Sequence, residues 1–129
     1  MIERTNRLIE IDSDSVLNLT ELRDLQTAMI RLLNSKRIII ETLISSNVRI
    51  GHYKDYNEYH ITRWLGLNND NEPSPTVVLG TDDTGIFMTN IHNEYTHALY
   101  CIEAKVGHKK AVELLKRLAD DSENSLFRV

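Results

Sequence analysis

Thr76-Val77-Val78-Leu79-Gly80-Thr81-Asp82-Asp83-Thr84-Gly85 runs a short apolar strand directly into a turn that carries two adjacent acids. Consecutive apolar residues without polar alternation mark a strand buried on both faces, the pattern of parallel sheets in α/β proteins. Gly80 and Gly85 bracket the turn, as chain-reversing residues do. A second segment, Arg37-Ile38-Ile39-Ile40-Glu41-Thr42-Leu43, reads the same way and is expected to end at Ser45-Ser46-Asn47.

Helical signals surround both strands. Asn18 with Glu21 three residues later has the capping-box spacing. Leu22, Leu25, Met29, Leu32 and Leu33 come next as one apolar face that stops near Asn34-Ser35. Residues 48–58 read as loop, Glu58–Leu65 as a short helix carrying Trp64, and Gly66–Ser74 as a polar surface loop. After the acidic turn, Asn90–Lys105 reads as a helix with Ile91, Tyr95, Ala98, Leu99 and Ile102 on one side. Gly107 breaks it, and Lys109–Leu118 forms another helix with Val112, Leu115 and Leu118 inward. Leu8-Ile9-Glu10-Ile11-Asp12 suggests a short strand or lead-in, and Ser125-Leu126-Phe127 a final docking contact. Strands alternating with helices argue for βαβ architecture. Two strands cannot cover their own edges, so the pattern reads as part of a larger sheet.

Composition bounds the function. The 129 residues suit one domain over 1–129, with 1–17 as a lead-in. A net charge of −4, with the basic residues scattered among acids, argues against a duplex nucleic-acid surface. No apolar run approaches the ~18–20 residues that span a bilayer. The N-terminus has no signal-peptide core, and the single cysteine, Cys101, has no internal partner. A cytoplasmic protein without membrane contact is therefore expected.

The acids are the sharpest candidates for chemistry. (β/α) folds place active sites at the C-terminal ends of strands, where a carboxylate ligates a cation or accepts a proton. The competing reading is structural, because Asp is a common turn residue that caps the next segment. The block Thr76–Phe87, with Asn93-Glu94-Tyr95 after it, resembles the final strand and loop of the adenosine deaminase family. Ile40–Gly51, with its Ser46-Asn47 pair, resembles that family's preceding strand, and the tail to Asn124-Ser125-Leu126-Phe127 its closing helices. The resemblance covers roughly residues 20–128.

It implies a partial (β/α) barrel of α/β class, holding the last two parallel strands and their flanking helices. It also implies that Asp82 ligates a catalytic zinc, that Asp83 hydrogen-bonds a purine ring nitrogen, and that Gly80 leaves room beside the substrate. Asn47 would brace the loop. The implied reaction is hydrolytic deamination of a purine nucleoside or nucleotide by zinc-activated hydroxide. This chain departs from the family in Thr84, where Pro is usual, and in Leu43-Ile44, where Cys-Pro is usual.

The ligand count decides what the chain does alone. Zinc needs three or four ligands, and the family's His-x-His is missing from His52, His60, His92, His97 and His108. His92 and His97 diverge by about 140° around a helix. Zinc is expected only with ligands from a missing N-terminal barrel portion or another chain, and the isolated chain is expected to be inactive. The alternative is a non-catalytic oligomerisation or interaction module that uses the exposed strand edges. Cys101 reads as a small buried apolar residue. Tyr53, Tyr56, Tyr59 and Trp64 read as packing aromatics, because no basic stripe accompanies them.

Overall fold

The computed structural model describes residues 18–68 and 72–125. The expected strand at Leu8–Asp12, the docking of Leu126-Phe127 and part of the Gly66–Ser74 loop lie outside the described residues. The elements are α1 (Leu19–Ser35), β1 (Ile40–Thr42), α2 (Ile44–Ile50), a 3-10 turn (Tyr56–Glu58), α3 (Ile61–Trp64), β2 (Val77–Leu79), α4 (Thr84–Phe87), α5 (Ile91–Val106) and α6 (His108–Asn124). The class is mixed α/β and mostly helical, with one two-stranded parallel sheet. Ile40 pairs with Val77, Glu41 with Val78 and Thr42 with Leu79.

The capping box forms as expected. Asn18 Oδ1 accepts from the Thr20 and Glu21 amides at 3.0 Å, and Glu21 Oε2 accepts from the Asn18 amide at 2.8 Å. The apolar face of α1 is not inward, however. Leu22, Leu25, Met29 and Leu32 are 42–51% exposed, and only Ile30 is buried. The helix meets its surroundings on another face, through Arg63 to Gln26 and through Asn34 Nδ2 to the Ser74 carbonyl at 3.1 Å. Successive residues turn by about 100°, which sets the leucine stripe roughly a third of a turn from Gln26, Ile30 and Asn34.

β1 starts only at the last residue of its apolar run, β2 spans Val77–Leu79, and among the described residues neither is covered on both faces. Ile38 and Ile39 stand outside β1, exposed, because Arg37 adopts a left-handed conformation (φ 54°) and turns the chain out of α1. Val77 and Leu79 of β2 pack against α5 and α6 and are buried, as is Thr42 beside Tyr59, whereas Glu41 is exposed and Val78 only partly covered. The core lies on that one face, where Ile44, Ile61, Val77, Leu79, Ala98, Cys101, Ile102, Ala111 and Leu118 pack together. Cys101 sits in it as expected; burial pushes its thiol up to about 11, and Sγ donates to the Tyr56 carbonyl at 2.9 Å.

Ser45-Ser46-Asn47 does not end the chain's local order but begins α2. The N-cap, Leu43, has no side chain able to satisfy the first amides. A residue far along the chain does so: Glu94 of α5, 1% exposed, accepts from the Ser45 amide through Oε2 at 3.0 Å. Its Oε1 accepts from the Thr89 hydroxyl at 2.6 Å, and Thr89 Oγ1 lies 3.2 Å from Ser45 Oγ. The amide cannot accept and the carboxylate cannot donate, so the hydroxyl chain runs from Ser45 through Thr89 to Glu94. A buried carboxylate is tolerated when such charge-assisted bonds replace its water.

The α5–α6 corner needs Gly107, which closes one helix and opens the next at φ +79°. α6 continues to Asn124, six residues beyond the expected end. The aromatics pack around His60: its ring lies 3.9 Å from Trp64 and 4.1 Å from Tyr59 between centroids. His60 Nδ1 is 2.6 Å from the Tyr53 hydroxyl, and Nε2 is buried without a hydrogen-bond partner among the described residues. Burial therefore lowers its pKa to about 4.

Two consequences are measurable. Glu94→Ala leaves the Ser45 amide and Thr89 hydroxyl without their acceptor and should cost roughly 2–4 kcal/mol in urea unfolding, with Glu94→Gln costing less. An unchanged midpoint for Glu94→Ala would contradict the role given to it. For His60, the unfolded ring binds a proton near pH 6.5 and the folded ring only near 4. Stability should thus fall as pH drops from about 6.5 toward 4, because the unfolded state binds more protons there. His60→Gln, which keeps an acceptor for Tyr53, should flatten that part of the pH dependence.

Candidate functional site

Parallel strands deliver their C-terminal ends to one side, and here those ends are Thr42 and Leu79. Thr42 runs through Leu43 into α2, and Leu79 through Gly80 into the acidic turn. Gly80 extends the ladder by one bond, its amide donating to the Thr42 carbonyl at 3.0 Å. It is buried, and a Cβ there would stand 2.1 Å from Glu41 Oε1 and 2.9 Å from Leu43 Cδ2. The room left by its missing side chain is taken by Glu41 and Leu43 of the neighbouring strand.

Asp83 caps α4. Its Oδ1 accepts from the Ile86 amide at 2.8 Å, and the side chain is exposed. Asp82 is half-buried, and its Oδ1 accepts from the Asp83 amide at 2.8 Å. Each acid thus uses one oxygen to order the turn and keeps lone pairs for another partner. The turn is held from both sides. Arg49 at the end of α2 donates to the Phe87 carbonyl that closes α4, and Thr89 ties the next segment to Glu94.

On the other strand end, the Thr42 hydroxyl is hydrogen-bonded to the Tyr59 phenol, which also accepts from Asn47 Nδ2 at 2.9 Å. Burial pushes the Tyr59 phenol above its usual range, although the bonds to Thr42 and Asn47 oppose the shift. Asn47 therefore braces the start of α2.

Zinc can be tested against these residues. Among the described residues, no group of three or more His, Cys, Asp or Glu side chains is arranged to hold a metal ion. Asp82 offers one carboxylate. His97 stacks on Tyr56 at 4.1 Å between centroids, His108 lies 3.3 Å from Glu103, and His60 is enclosed by aromatics. The donor set of the described residues does not fit a zinc site by itself.

The sequence motifs do not single out Glu94, Thr89, Thr42 or Tyr59 as organisers of this region. One signal is present: Glu94, Ala98, Cys101 and Ile102 recur at helical spacing, so Glu94 lies on the buried stripe of α5. A charged residue in that register implies a paired, buried carboxylate. Among the described residues, no helix is long and apolar enough to cross a membrane.

No protein-family profile matches the chain, and no solved structure matches it. Over 93 residues, 72% of its length, the chain is 29% identical to N6-Methyl-AMP deaminase-L of Xenopus laevis. It spans about a quarter (25%) of that relative's length. The chain is thus similar to part of a deaminase, at a distance.

Proposed function

We propose that the chain is the C-terminal part of an adenosine-deaminase-like hydrolase, a fragment of a (β/α) barrel that is incomplete alone. The observation that carries this reading is the placement of the Asp82-Asp83 turn at the C-terminal end of a parallel strand, beside the start of α2. Active sites of (β/α) folds are assembled there from several strand ends. The likeness to a deaminase that is far longer supports the same reading. So does the sheet itself: parallel sheets are normally covered on both faces and paired on their edges, and among the described residues this one is covered on one face.

In this reading Asp82 supplies one carboxylate to a zinc ion whose other ligands come from the missing portion. Asp83 faces the purine ring, and Gly80 lets Glu41 and Leu43 pack against the strand end that carries the acids. The substrate is a purine nucleoside or nucleotide; AMP and its N6-methyl form are the first to try, given the relative's name. The chain's own contribution is positional. The Glu94–Thr89–Ser45 hydrogen bonds and the Arg49–Phe87 bond hold the turn in place before any partner arrives.

A second reading has its own observation. Both strands have an unpaired edge among the described residues, which suits a non-catalytic module that assembles through strand pairing.

The test is complementation. The chain is co-expressed with the portion of a matching deaminase that precedes the aligned segment, and the complex is assayed for zinc content and for amine release. Ammonia from adenosine or AMP, or methylamine from N6-methyl-AMP, is the expected product, with a loss of at least about 100-fold on Asp82→Ala. Release unaffected by Asp82→Ala in the complex would contradict the role of that residue. Turnover by the isolated chain would contradict its incompleteness.

A further inference from the structure

Helix α1 is held along one narrow face and leaves a second, apolar face without a partner among the described residues. Ile30 is its one buried side chain, and Gln26 and Asn34 bond to Arg63 and to the Ser74 carbonyl from the same side. No other described element packs along the helix by more than isolated contacts. About a third of a turn away, Leu22, Leu25, Met29 and Leu32 follow one another at intervals of three, four and three residues, each about half-exposed. That spacing is the a-d-a-d repeat of a coiled-coil seam, which meets another helix carrying the same repeat. The seam has a charge at each end. Glu21 flanks its start, and Lys36, four residues beyond Leu32, continues its line past the end of the helix; both are exposed.

We propose that two copies of this chain pair through α1, antiparallel, about a two-fold axis at the level of residue 27. Leu22 then meets Leu32 of the second copy, and Leu25 meets its Met29, so every seam residue lies in a closed apolar layer. The pairing is isologous and closes at two copies, as two-fold interfaces do. Other registers are worse. Moving the axis by about half a heptad sets either Leu25 against Lys36 or Met29 against Asn18, and the outer layers are lost. A parallel pair keeps the layers but brings Lys36 against Lys36. The antiparallel pair instead sets Lys36 of each copy beside Glu21 of the other, so charge selects that orientation. The apolar area of one half-exposed seam is less than a permanent dimer buries, so the pair is reversible.

The proposal goes beyond both functional readings, since it uses neither the acidic turn nor a strand edge. Sedimentation analysis across a concentration series should show a reversible dimer of the full chain. Leu25→Asp and Met29→Lys each put a charge into the seam and should each weaken the dimer by at least about tenfold. Circular dichroism of both variants reports that the fold is retained. Orientation is read by spin labels. Cys101 is buried, so a nitroxide on Ser35→Cys reports alone. Antiparallel pairing offsets the two labels by about 24 Å along the helix axis, whereas a parallel pair sets them side by side. A monomer at all concentrations overturns the proposal, and labels without that offset overturn the antiparallel pair. A dimer indifferent to both seam variants also overturns it and moves the contact to the strand edges of the second reading. A chain that is monomeric alone, but whose Leu25→Asp variant no longer complements the preceding deaminase portion, assigns the stripe to that portion instead.

Discussion

One buried carboxylate ties the molecule together. Glu94 lies on the inward stripe of α5, starts α2 by accepting from the Ser45 amide, and holds the chain after the acidic turn through Thr89. Leu43 cannot cap α2, so without Glu94 that helix would begin on unsatisfied amides. Burying the charge costs several kcal/mol before its bonds are counted, and those bonds offset the cost only when all three elements sit together. The strand ends and the loop between β2 and α5 are therefore one cooperative unit rather than separate flexible connections.

Among the described residues, the sheet beside that unit is covered on one face and open on the other. α5 and α6 fill the sheet face carrying Val77 and Leu79, and the core is continuous there. The opposite face presents Ile39, Glu41 and Val78 to a groove, and the leucine stripe of α1 is half-exposed. Apolar surface in this arrangement suits the contact with further protein proposed above, and the strand-end turn is ordered without it.

Local signals were readable and non-local ones were not. The Asn18–Glu21 capping box, the position of α5 behind Asn90 and the break at Gly107 come from neighbours within four residues, and the structure has all three. The existence of both strands was legible too, and so was the extent of β2, but not the start of β1, because Arg37 turns the chain and leaves Ile38 and Ile39 outside the strand. Ser45-Ser46-Asn47 looked like a terminator because Ser and Asn favour caps and turns. It became a helix start because an acceptor 49 residues away reached its amide. The Asp82-Asp83 turn was visible from the outset. The structure adds that both acids also order the turn itself, so their local role and the proposed chemical role share the same side chains.

The most direct measurement is native-state hydrogen exchange at the Ser45 amide. If Glu94 is the constraint on which the strand ends depend, that amide exchanges as slowly as the buried centre of α5, through the same global opening. Glu94→Gln should then speed it selectively. Exchange of the parent Ser45 amide at the rate of the exposed loop around His52 would contradict the account.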